Sequence, residues 1–315
     1  HTATLLFDGK VLVVGGREIS NTFLTSAEIL NPAADTWTLT VPLNVGRAGH
    51  TATLLADGRV LVAGGVTSAE TTLNSAEIYD PAADTWTLLP PLTTPRYLHT
   101  ATLLPNGKVL VVGGQSGASS GYLTGVEIYD PVLNAWSAAA DMIASRSGHS
   151  ATLLVDGSLL VAGGDDDGAI AGAEVYDPST DAWTKVSSLN TARYYHSATL
   201  LQDGSVLVAG GYDSTSTSTT SAELYVPGRN AWLPLDAMHT ARAYHPATFL
   251  PDGRVLLTGG MVGVETAQAE LYAVDRGFEE AWRPTLGLAV SALKNGMPLE
   301  FIGTGFRGYQ LTSAS

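Results

Sequence analysis

The residues of this 315-residue chain that could do chemistry fall into three groups. The run Asp165-Asp166-Asp167-Gly168 sets three carboxylates beside a glycine turn. Oxygen ligands of this kind suit Ca²⁺, with Asp165 and Asp167 as the ligand candidates. Consecutive carboxylates seldom converge on one ion, however, and a solvated acidic loop accounts for the run equally well. The second group is tyrosines Tyr97, Tyr194, Tyr195 and Tyr244, which interrupt recurring Arg-x-x-His segments. Exposed phenol rings make platforms for sugar rings or for aromatic and cationic side chains; the plain alternative is rim packing. The third group follows a recurring Gly pair and differs at every recurrence: Arg17, Val66, Gln115, Asp165, Tyr212 and Met261.

Bulk composition narrows the partners. The formal net charge is −14, so the chain repels phosphate backbones and nucleic acid is not expected as a partner. With 45% hydrophobic and 15% charged residues, it can bury a core. No apolar run approaches the roughly 18 residues that a membrane span needs, so no membrane insertion is expected. The absence of cysteine excludes disulfides, thiolate metal sites and cysteine nucleophiles. No Ser-His-Asp signature, phosphate-binding glycine loop or zinc spacing is present. The lean towards Ala, Thr, Ser and Gly, with only four lysines, suits an extracellular or cell-surface setting. The sequence opens at His1 inside a repeat and reads as a fragment or a processed product.

A repeat of about fifty residues must position these groups. His1, His50, His99, His149, His196 and His245 recur at spacings of 49, 49, 50, 47 and 49. Each is followed by a Gly pair (Gly64-Gly65 in the second unit), a Glu (Glu77) and a Trp (Trp86). The second unit reads as four strands. His50 to Leu55 alternates small or polar with apolar residues. Asp57-Gly58 makes a hairpin turn with central residues at positive φ. Val60 to Ala63 is apolar throughout, as a strand buried on both faces must be. Ala76 to Tyr79 and Thr85 to Leu88 follow, separated by an Asp80-Pro81 turn. Four short antiparallel strands cannot cover both of their faces alone, and stacking such sheets about an axis solves the problem. The Trp of each unit is expected to pack between neighbouring sheets.

A Gly pair, a Tyr (Tyr79, Tyr129, Tyr176, Tyr225, Tyr272) and a Trp, repeated six times from His1 to about Trp282, resemble the kelch signature. The first unit departs from it, with Leu30 in place of the Tyr. The resemblance implies an all-β, six-bladed propeller over residues 1–284. Residues 285–315 are similar to the opening of an Ig-like early-set or IPT/TIG domain, the rival being a degenerate partial repeat.

What recurs in every blade is read as framework. The five Arg-x-x-His arginines are expected to pair with the repeated glutamates. Function is assigned to the exceptions, on the face that carries the Arg-x-x-His segments and the variable loops after the Gly pairs. The ligand-binding set is Arg17, Tyr97, Gln115, Asp165, Tyr194, Tyr195, Tyr212 and Tyr244. In kelch propellers that bind peptides, the position after the Gly pair and the one two before the Glu line the mouth. The latter positions here are Ser26, Ser75, Gly125, Gly172, Ser221 and Gln268. The reading is a non-catalytic scaffold for a protein segment or a glycan, with no cofactor. The alternative is a carbohydrate-active or galactose oxidase-like enzyme with a degenerate or absent copper site. Resemblance to the copper radical oxidases would make Tyr244 and His245 metal ligands. Against it, that family needs a Cys to build its radical and a His after the propeller, and residues 283–315 contain neither.

Overall fold

The computed structural model describes residues 1–18, 20–67, 71–117 and 121–273, together with the strand Gly277–Glu279. Trp282 and residues 285–315, on which the expectation of an Ig-like segment rests, lie outside them. The chain forms six four-stranded antiparallel sheets arranged as a propeller. Among the described residues the only helical segment is the single 3₁₀ turn Pro227–Arg229. Among the described residues no helix is long and apolar enough to cross a membrane.

Each sheet runs from the axis outwards in chain order. In blade two the strands are Thr51–Leu54, Val60–Ala63, Ala76–Asp80 and Thr85–Leu88. Leu61 stands opposite Thr53 on the inner side and Ile78 on the outer side. The inner strands of successive blades pack against one another about the axis.

The second strand shows why the sequence there is apolar without alternation. Val60 and Val62 face blade one, in a cluster with Leu12 and Val14. Leu61 and Ala63 face blade three, in a cluster with Val109 and Val111. Side chains alternate across a strand, so a strand sandwiched between two blades needs apolar residues on both faces. The same scheme repeats at the next three seams.

One local expectation is corrected. In the hairpin after the inner strand only the glycine takes a positive φ, +88° at Gly58, while Asp57 does not. Asp57 instead accepts the Arg59 backbone N–H at 3.1 Å, which fixes the turn through its side chain. The repeated Trp packs at the seams together with the Tyr: Trp86, Trp136 and Trp183 lie against the clusters that bury Tyr79, Tyr129 and Tyr176, Trp232 is itself buried in one, and Trp37 is 50% exposed. Trp86, Trp136, Trp183 and Trp232 lie over the Tyr of their own blades, with centroids 4.9 Å apart for Tyr79 and Trp86. Their indole N–H groups donate to the linker from the preceding blade, as from Trp86 to Val41 O at 2.8 Å. Trp37 stands against Leu30 across the strand pair and so lacks that aromatic partner.

Candidate functional site

The framework must first be separated from what it carries. The repeated arginines are fully buried and pair with the repeated glutamates at 2.7–2.9 Å: Arg47 with Glu77, Arg96 with Glu127, Arg146 with Glu174, Arg193 with Glu223, and Arg242 with Glu270. Arg146 also donates through Nη1 to Gly163 O and Gly172 O, and Glu174 accepts the Ile143 and Ala144 N–H groups. Charge this deep is tolerable only when so satisfied. These bonds engage the positions two before each glutamate: Ser75, Gly125, Gly172, Ser221 and Gln268 all give their carbonyls to the arginines. Their carbonyls serve the framework.

The histidines form a second framework ring. His50 Nε2 pairs with Thr2 Oγ1 of the preceding blade at 3.0 Å. Thr51–His99, Thr100–His149, Ser150–His196 and Ser197–His245 repeat the contact. Burial, helped by the neighbouring arginines, pulls His50 and His149 down to about 3 and holds His99 and His196 well below the ordinary value. The ring is neutral at physiological pH.

Above the histidines runs a belt of backbone hydrogen bonds around the axis. Leu98 N–H donates to Gly49 O, Gly148 to Leu98 O, Tyr195 to Gly148 O, and Tyr244 to Tyr195 O, at 2.8–3.0 Å. All five residues sit in the left-handed region, with φ between +53° and +63°. Glycine meets this at no steric cost at positions 49 and 148, whereas a side chain there stores roughly 1–2 kcal/mol of strain. Leu98, Tyr195 and Tyr244 bear it. The five histidines and the residue before each of them line a mouth of about 240 Å³.

The tyrosines gather at one side of this mouth. Tyr195 and Tyr244 stack with centroids 3.9 Å apart and planes at 23°. Tyr194 lies 5.0 Å from Tyr195 and 5.4 Å from Tyr212. Tyr212 meets Tyr244 edge-on at 6.0 Å. Tyr195 also covers Gly148, where an added Cβ would lie 2.6 Å from the ring. Tyr244 stays 50% exposed. Withdrawal of water pushes Tyr244 up to about 12, and raises Tyr195 further with help from the adjacent Tyr244 hydroxyl. Both are neutral phenols at physiological pH.

The remaining sequence candidates are placed differently. The residue after each Arg pairs through its backbone with the residue after the Gly pair of the same blade: Tyr97 with Gln115, Ser147 with Asp165, and Tyr194 with Tyr212. Tyr97 O–H donates to Gln115 Oε1 at 2.8 Å, and the Tyr97 ring flanks Gly49. Asp165 accepts the Tyr122 hydroxyl at 2.8 Å and the Gly168 N–H at 2.8 Å. Arg17 is exposed, and its backbone bridges Phe23 in blade one. The sequence reading missed Tyr122, which nothing local marks. It also missed the belt of Gly49, Leu98 and Gly148, whose signal is a column that alternates glycine with large residues.

Of the calcium candidates Asp165 and Asp167, Asp165 is engaged by the Tyr122 hydroxyl and the Gly168 N–H, and the intervening Asp166 accepts from Ser145 Oγ. His245 Nε2 is held by Ser197 Oγ at 2.9 Å, and Tyr244 lies against Tyr195. Among the described residues no group of three or more His, Asp or Glu side chains converges to hold an ion.

The opposite face carries a larger open depression of about 510 Å³ between the turns of blades two and three, edged by Val132 and Leu133. Its turns keep one pattern from blade to blade, and the positions of Val132 and Leu133 are Ala in blades one and two.

A family model described as the KLHDC2/KLHL20/DRC7 Kelch-repeats domain matches residues 1–211. Among solved structures, one described as "Structure of YjhT" superposes with a TM-score of 0.68. It covers 86% of this chain and 93% of its own at 17% identity, a likeness of fold alone. No curated protein matches the chain.

Proposed function

The chain belongs to the kelch-repeat family, and from that premise we propose that it is a non-catalytic binding scaffold that grips a protein segment or a glycan at the tyrosine side of its loop-face mouth. One observation carries the reading: Tyr195 and Tyr244 occupy backbone slots that glycine fills without strain in blades two and four, and Tyr244 nonetheless keeps half its surface in solvent. A residue that costs backbone strain without being buried does little for the core, and strain of this kind concentrates at recognition sites. The stack offers an amphipathic, rigid surface with few rotamers to freeze on binding.

The test is a selection of random displayed peptides on the purified chain, run beside a glycan array. Selected ligands are then titrated against Tyr244→Gly and against Val132→Asp on the opposite face. Loss of at least tenfold in affinity with the first variant and none with the second supports the proposal. The reverse pattern overturns it.

A further inference from the structure

The distribution of charge around the tyrosines goes further than their shape. Among the described residues of the loop face, Glu18, Asp166, Asp167 and Glu265 are exposed carboxylates and Asp165 and Asp213 are half-buried ones, with Asp141 and Asp236 exposed in the linkers. None of them has an ion-pair partner among the described residues. The arginines nearest them are spent on the buried glutamates, and Arg17 is the exposed cation of that face. On the turn face Lys10, Arg59, Lys108 and Arg254 each pair with an aspartate at 2.6–3.1 Å. Apart from Arg17, no such cation stands among the described loop-face residues around the aromatic group.

The tyrosines are suited to the same sign of charge. Neutral phenol rings present a negative π-face, and a cation above such a face is attracted by the ring quadrupole. Tyr244 offers an exposed ring, and Tyr212 meets it edge-on at 6.0 Å. Asp213 follows Tyr212 directly. Asp165 stands close enough to make ionisation of both Tyr195 and Tyr244 harder. An anion placed here would meet carboxylates and π-faces, with no donor cation near.

We propose that the occupant of the tyrosine site is a basic protein segment, whose Lys or Arg side chain lies over the Tyr244 and Tyr212 rings beside Asp165 and Asp213. This rests on the loop-face reading above and adds the sign of the ligand to it. A guanidinium suits the site best, because its flat face stacks on an aromatic ring while its edge donates to a carboxylate.

The experiment uses four synthetic peptides of alternating glycine with arginine, lysine, citrulline or glutamate, titrated calorimetrically. Tyr244→Leu removes the quadrupole and keeps apolar bulk; the left-handed slot accepts leucine, as Leu98 at φ +53° shows. The expected result is binding of the arginine peptide, weaker binding of the lysine peptide, and none of the citrulline or glutamate peptides. Affinity for arginine falls about tenfold in Tyr244→Leu, and again between 0.05 and 0.5 M salt on the order expected for exposed charge. Citrulline binding as well as arginine, unchanged binding in Tyr244→Leu, or no binding by either basic peptide overturns the proposal. The loop-face reading fails separately, when ligands from the display selection ignore Tyr244→Gly.

Discussion

Tyr195 lies flat against Tyr244, 3.9 Å between centroids, although 49 residues separate them and both backbones are held at positive φ. The Tyr244 N–H closes the contact by donating to Tyr195 O at 2.9 Å. One backbone belt thus delivers two rings from adjacent blades to the same place. Replacing Tyr244 by glycine should therefore alter binding far more than folding. Relief of left-handed strain offsets the lost ring contact and the extra flexibility of the unfolded chain, so stability should move by less than about 1 kcal/mol. Urea denaturation of the variant checks this; a loss of several kcal/mol would make Tyr244 a structural residue.

Gly148 supports the other side of the stack. Its φ is +56°, and a Cβ there would lie 2.6 Å from Tyr195 Cε1. Gly148→Ala should push the Tyr195 ring off its seat, changing near-ultraviolet circular dichroism and lowering affinity for any ligand of the stack several-fold. An unchanged aromatic spectrum would show that the ring does not rest on Gly148.

The Arg–Glu pairs make a contrasting prediction, large for folding and indifferent to ligand. Arg146→Met leaves Glu174 buried, with only the Ile143 and Ala144 N–H groups as partners. Loss of one member of a buried pair costs about 3–5 kcal/mol, and adding Glu174→Leu should restore part of it. Chemical denaturation of the single and double variants measures both. A single variant as stable as the parent would show the pair to be dispensable.

These contrasts show what was legible in the sequence and what was not. The propeller was legible because each blade repeats the same burial problem, so Val60 to Ala63 and its equivalents carry the same apolar run. The pairing of Tyr79 with Trp86 was not, because both rings enter the same seam and their mutual tilt depends on how the neighbouring blade sits. Tyr194, Tyr195, Tyr212 and Tyr244 stood out singly as departures from the repeat. That the four touch, and that Tyr97 pairs with Gln115, depends on the belt's left-handed backbone, which residue type hints at only where glycine occupies the column.

The histidine ring predicts acid sensitivity with a definite sign. His50, His149 and His245 titrate near 3 when folded, through burial first and then their arginine neighbours, against about 6.5 when unfolded. A depressed folded value stabilises fully above pH 6.5 and less as pH falls, by up to about 1.4 kcal/mol per pH unit for each histidine. Denaturation midpoints should drop between pH 6.5 and 5, above the range where carboxylates protonate, and His149→Gln should shallow the slope. A flat profile across that window would mean that these imidazoles are not held neutral.

Recognition on the tyrosine stack is tested by the affinity of a display-selected ligand for the parent chain, for Tyr244→Gly and for Val132→Asp, with all three shown to be equally folded. At least a tenfold loss is expected in Tyr244→Gly alone. Full affinity in that variant, with loss confined to Val132→Asp, would place recognition on the opposite face and contradict that expectation.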